Sequence, residues 1–280
     1  MAYKLISAGL ITVLLFSGCA SQGKPGASSS THALSADEAQ EVAIGQQLHA
    51  AVLSSFTPYT DPKVTDYVER VGNALAEQSE RRELPYHFTV LYSDKIYAAS
   101  SPGGFVYLTT GMLYFIENEA ELAAVLAHEI AQLQYRDPKN TRASKVLDSV
   151  TKSGAMVGPA FGQIGVLAML GLMAVNSVSQ PHLLNSEQKL IQADKKAMTY
   201  MMQAGQDPQG MVDLFYKFLK SGNEKVPYFY DYYQSRPITE KRFEALNKNF
   251  SKLPLHDKNF NTHRQVYQDS IRGVQEIYKQ

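Results

Sequence analysis

The stretch from Glu119 to Gln134 constrains this chain more than any other part of it. At about 100° per residue, Leu122, Val125, Leu126, Ile130 and Leu133 gather on one side of a helix, with Glu129 among them. Ala123, Ala124, Ala127 and Ala131 fill much of the rest. A helix that is apolar or small nearly all round must be buried, so other elements have to wrap it. His128 and Gln132 lie four apart on an adjacent face, about 40° from each other. Polar groups taken out of water need partners, which makes His128, Glu129 and Gln132 the first candidates for chemistry. With 280 residues, 44% of them hydrophobic and 19% charged, the chain has enough apolar material to build that wrapping.

The segments around this helix suggest what does the wrapping. Ser35 with Glu38 is a capping box, and a helix should run from there to about Phe56. A second helix should cover about Pro62 to Glu80. β character follows in Tyr86–Tyr92, Ile96–Ala99 and Gly104–Thr110, with Pro102-Gly103-Gly104 as a turn between two strands. The buried helix should start at Asn118 and reach about Tyr135, before Asp137-Pro138 stops it. Further helices are expected at about Leu184–Ala204, Pro208–Ser221, Ile238–Asn249 and Thr262–Tyr278. Between them, Ala155–Val178 is almost wholly apolar. It is long enough to cross a bilayer, but Gly158-Pro159 and later glycines favour a buried helix or helix pair. The architecture expected is α+β and helix-dominated, with a small sheet of about three strands.

The N-terminus carries an export pattern. Lys4 precedes an apolar run from Leu10 to Phe16, then Ser17-Gly18 and the only cysteine, Cys19. Small residues directly before a cysteine resemble the bacterial lipoprotein signal, which implies lipidation at Cys19. Ala20 resembles the outer-membrane sorting pattern. The expected organisation is a signal peptide over 1–18, a flexible Ser- and Gly-rich tether over 19–34, and one domain over 35–280. Such a chain would be lipid-anchored in the bacterial outer membrane and face the periplasm. Equal counts of 27 basic and 27 acidic residues leave no field that would gather nucleic acid.

The pentad His128-Glu129-Ile130-Ala131-Gln132 departs at one place from H-E-x-x-H, in which two histidines reach one zinc and the Glu acts as general base. Gln132 offers a neutral amide where zinc prefers imidazole, thiolate or carboxylate. Read alone, the pentad also fits a satisfied core histidine with Glu129 as an ordinary neighbour.

The flanking residues carry more. Pro102-Gly103-Gly104, then Thr109-Thr110-Gly111-Met112-Leu113, then Glu117-Asn118-Glu119-Ala120-Glu121-Leu122 leading into His128-Glu129 resemble the HtpX-like and prenyl-protease-like zinc metallopeptidases of family M48. Ser186 to Asp194 resembles that family's S-R-x-x-E-x-E-A-D, and Ser235 to Arg242 its T-H-P-x-T-x-x-R. The resemblance covers most of residues 35–250. It implies a zincin-like (gluzincin) fold, a zinc site and peptidase activity. It also implies that Gly103, Gly104, Phe105, Val106 and Tyr107 form an edge strand on which an extended peptide lies.

The same comparison exposes losses. The family's second histidine ligand falls on Gln132, its third ligand on Leu190, and the histidine of T-H-P on Arg236. His128 and Glu129 remain as residual ligand and vestigial general base, and Asp194 as support for a ligand. Complete structural zinc sites bind with about 10–16 kcal/mol, so losing two of three ligands removes more than half if they share it evenly. The expectation is therefore no metal, no active catalytic residue, and a pseudopeptidase that binds or scaffolds envelope or outer-membrane proteins, some of them unfolded. The alternative is an active zinc-dependent endopeptidase in envelope protein quality control, with Glu187 or His182 as substitute ligands.

Overall fold

The computed structural model describes residues 34–135, 183–223, 238–255 and 259–279. The export signal with Cys19, most of the tether, the apolar run Ala155–Val178, His182 and Arg236 lie outside the described residues.

Helix α1 (Ala36–Ser55) opens with the expected capping box: the Ser35 side chain accepts from the Glu38 amide, and Glu38 returns the bond to the Ser35 backbone. Its buried face runs through Glu41, Gly45, Leu48 and Val52, a helical stripe. Helix α2 (Pro62–Ala76) is capped by Asp61, carries Pro62 in its first turn and buries Val64, Val68, Val71 and Leu75. Three strands follow: β1 (His87–Leu91), β2 (Ala98–Ser101) and β3 (Phe105–Thr109). Helix α3 (Thr110–Phe115), where the chain turns helical near Gly111, leads into α4 (Glu119–Gln132). After the gap come α5 (Leu183–Gln203), α6 (Gln209–Asn223), α7 (Glu240–Phe250), α8 (Arg264–Ser270) and α9 (Arg272–Ile277). The single helix expected over Thr262–Tyr278 is thus broken, at Ile271, whose backbone (φ −94°, ψ 14°) leaves the helical region.

The sheet corrects one expectation. Its order is β1-β3-β2, with β1 parallel and β2 antiparallel to β3. The strand holding Phe105, Val106 and Tyr107, expected at an edge, is the central one, and all five of its residues are buried. Gly103 and Gly104 are not in a strand but in the single 3-10 turn Pro102–Gly104 that precedes it. The local turn signal showed only the β2–β3 hairpin. The pairing of β3 with β1 is non-local, and the 92–97 connection makes it possible by crossing over the end of β3, where the Gly111 amide donates to Ser93 O at 2.8 Å.

The turn is held from outside the sheet. Gly103 (φ 81°) and Gly104 (φ 92°) adopt the left-handed conformation that favours glycine. The Gly103 amide donates to Glu41 Oε1 at 3.1 Å, and Arg81 grips the same buried carboxylate from the other side at 2.5 Å. Helix α1 comes so close here that a Cβ on Gly45 would stand 2.0 Å from Pro102 O. At the centre of the domain lies α4, buried at every residue from Glu119 to Gln132. It packs against α2, α5, α6 and β2, which is the wrapping its composition demanded. Among the described residues no helix is long and apolar enough to cross a membrane.

Candidate functional site

Helix α4 is fixed at its N-terminus before its chemistry begins. Asn118 caps it, accepting from the Glu121 amide at 2.9 Å. The Glu121 carboxylate in turn receives Lys217 at 2.7 Å and the Glu117 amide at 2.9 Å. Glu119 is buried and receives Tyr67 (2.6 Å), Gln206 (2.8 Å) and Arg70 (3.0 Å). Burial resists the Glu119 charge, yet these donors hold its carboxyl below the ordinary range. Acidic groups at this end also suit the helix dipole. The result sets the depth and rotation of α4, and hence where His128 and Glu129 point.

His128 is 3% exposed and has a neighbour at each ring nitrogen. Nδ1 stands 2.8 Å from Asp194 Oδ1 on α5, close but not aligned as a straight hydrogen bond. Nε2 stands 2.7 Å from the side-chain Nε2 of Gln132, one turn on along α4. The nitrogen that faces a carboxylate carries the proton, so Nε2 presents its lone pair. The Gln132 amide N–H is then the donor to it. Asp194 also receives two bonds from Arg242 on α7, Nε to Oδ2 at 2.7 Å and Nη2 to Oδ1 at 2.9 Å. Burial opposes the Asp194 charge, but the guanidinium of Arg242, assisted by His128, outweighs it and holds the carboxyl at about 2. Arg242 itself lies over the Phe215 ring, 4.7 Å from its centroid. Glu129, fully buried, receives the Ser100 hydroxyl of β2 at 3.1 Å.

The structure therefore brings His128, Gln132 and Asp194 together and sets Glu129 against β2. Leu190, on α5 one turn before Asp194, is buried. Glu187 is engaged elsewhere: Thr239, the N-cap of α7, donates to one of its oxygens and Lys241 reaches the other at 3.1 Å. The Thr239 bond leads in holding the Glu187 carboxyl low. Two participants escaped the sequence reading. Arg242 ends the Thr239-Glu240-Lys241-Arg242 segment singled out above, so its motif was visible while its partner was not. Ser100 is a small residue in a short strand, and nothing in the sequence marked it.

A zinc ion would need His128 Nε2, the nitrogen to which the Gln132 N–H donates. Among the described residues that nitrogen meets the Gln132 amide, and Leu190, which the family resemblance sets at the third-ligand position, offers only an apolar side chain. Among the described residues no group of three His, Cys, Asp or Glu side chains is placed to hold a metal. These donors do not fit a three-ligand zinc site. Beside His128 a narrow gap opens between α4, α6 and α7, lined mainly by Val125, Leu214, Phe215 and Ile238, with Arg242 at its edge.

Comparison with known proteins places this geometry. The model of Peptidase family M48 matches residues 62–249. The beta-barrel assembly-enhancing protease of Escherichia coli strain K12 is 27% identical over 203 residues, which cover 71% of this chain and 39% of that protein. The protein of the same name from Shigella flexneri gives the same figures. The one from Yersinia pestis is 28% identical over 183 residues, covering 64% of this chain and 37% of that protein. The chain spans about two fifths of the length of these relatives.

Proposed function

The chain belongs to peptidase family M48, and from that premise we propose that it is a non-proteolytic envelope member that binds proteins bound for the outer membrane. The observation that carries the proposal is the hydrogen bond from Gln132 to His128 Nε2, at the position where the family's zinc would sit. Without a metal-activated water Glu129 has no proton to take, and Ser100 is what its Oε2 meets. No step of peptide cleavage is available to this set of groups.

What the family framework still offers is a strand edge. β2 packs on α4 and, among the described residues, has a strand on one side only; its four residues are buried, so a client must displace what covers them to reach the main chain. An extended chain adding to that edge would be held by main-chain hydrogen bonds, which need no metal. The relatives named for β-barrel assembly suggest the client class, unfolded β-barrel proteins rich in extended segments. The lipid anchor at Cys19 belongs to the same proposal, since it would hold the domain at the membrane that receives those clients.

Two measurements test this. Purified protein should bind an unfolded outer-membrane β-barrel protein, read by fluorescence anisotropy, and should leave casein intact. Absence of binding to any such client removes the proposal. Protein purified without chelator should hold far less than one zinc per chain. Stoichiometric zinc, together with casein cleavage abolished by Glu129→Gln, would instead establish an active peptidase with rearranged ligands.

A further inference from the structure

The polar centre has a second consequence, which rests on the same donor set but not on client binding. Gln132, His128, Asp194 and Arg242 form a row of polar contacts across three helices, hydrogen-bonded between Gln132 and His128 on α4 and between Asp194 on α5 and Arg242 on α7, and joined by the 2.8 Å approach of His128 Nδ1 to Asp194 Oδ1. A fourth helix joins through the Phe215 ring on α6 beneath the guanidinium. All four polar residues are at least nine-tenths buried. We propose that Gln132 is the built-in replacement for a metal: its amide N–H takes the imidazole lone pair, completing a cross-brace that ties α4 to α5 and α7.

The physical argument is one of satisfaction. A buried imidazole nitrogen without a partner costs the fold its desolvation penalty. In a zinc enzyme of this type the metal satisfies that lone pair. Here the same position on the next turn of the same helix satisfies it with a neutral donor, which brings no charge and needs no second protein ligand. Leu190 fits that arrangement, because a carboxylate there would have no cation to face. The brace thus makes the domain complete without a cofactor, and the Asp194–Arg242 pair secures its far end.

The test is a comparison of the wild type with Gln132→Met, which keeps side-chain length and removes the donor. The wild type should melt at the same temperature in EDTA and in equimolar zinc. Gln132→Met should melt about 2–12 °C lower under both conditions, as expected for one buried acceptor left unpaired in a domain of this size. Nitrogen-15 NMR of the ring should show His128 as the Nδ1–H form in the wild type, with an Nε2 signal that equimolar zinc does not move and that Gln132→Met shifts. A wild-type Nε2 signal displaced by zinc, with a higher melting temperature, would overturn the proposal by showing that Gln132 yields its place to the ion. A Gln132→Met protein with an unchanged melt and Nε2 signal would overturn it as well. Neither result depends on whether the protein binds a β-barrel client.

Discussion

Replacing Asp194 with Asn is the sharpest perturbation of this domain. The side chain keeps its size and loses its charge. Arg242, 2% exposed and held by two bonds of 2.7 and 2.9 Å, then faces a neutral amide. Because both partners are almost fully buried, solvent does not screen the pair. Removing one member of such a pair typically costs about 3–5 kcal/mol, since the other charge stays buried. At about 2–4 °C per kcal/mol for a domain of this size, the melting temperature should fall by about 6–20 °C. The double variant Asp194→Leu with Arg242→Met should recover much of that loss, because no charge is left stranded. The remaining cost is the loss of the 2.8 Å contact between His128 Nδ1 and the carboxylate. Urea unfolding followed by circular dichroism gives all the values for this comparison. If Asp194→Asn stays within about 1 kcal/mol of the wild type, or the double variant is no more stable than the single one, the pair does not act as described.

The same carboxyl predicts a pH dependence. Its folded value of about 2 lies below the ordinary 3.8, so the unfolded chain takes up the proton first. The stabilisation is complete above the unfolded value and is lost as pH falls from about 4 toward 2, and urea midpoints over that window should fall more steeply in the wild type than in the double variant. Gly103→Ala should destabilise by about 1–3 kcal/mol or more, because a Cβ at φ 81° would also stand 2.7 Å from Val42 Cα. Gly205→Ala, at φ 77° with open space around it, should cost only the backbone strain, so its urea midpoint should move less. Gln132→His alone should not create a zinc site, since Leu190 stands where the family resemblance sets the third ligand. Titration calorimetry should show no zinc binding by that variant at micromolar concentration, and Gln132→His with Leu190→Glu is the pair expected to gain it.

Much of the domain was legible in the sequence where the signal is local. The capping box at Ser35 and Glu38, the helix start at Asn118 and the buried character of α4 all depend on residues within a turn or two of each other, and the structure bears them out, with Asn118 as the N-cap. The contact between Gln132 and His128 is local too, because residues four apart on a helix meet whatever surrounds them. The N-terminal lipoprotein signal is a reading of residues outside the described part. The break at Ile271 was missed, and α3 was read only as part of a helical stretch beginning at Gly111, since nothing in the periodicity separates these pieces from their neighbours.

By itself, then, the sequence determined that an almost wholly apolar helix carries His128, Glu129 and Gln132, and that Gln132 stands beside His128. That contact is built from one helical repeat and needs no partner element. Only the tertiary structure decided that β3 lies between β1 and β2, because strand pairing is set by crossovers that local patterns do not encode. It also decided that Arg242 reaches Asp194, 48 residues earlier in the chain, and that Ser100 reaches Glu129, 29 residues later. Those partners are chosen by which helices and strands pack together, and burial then makes each of them necessary, since a charge or an open lone pair inside this core has no water to turn to.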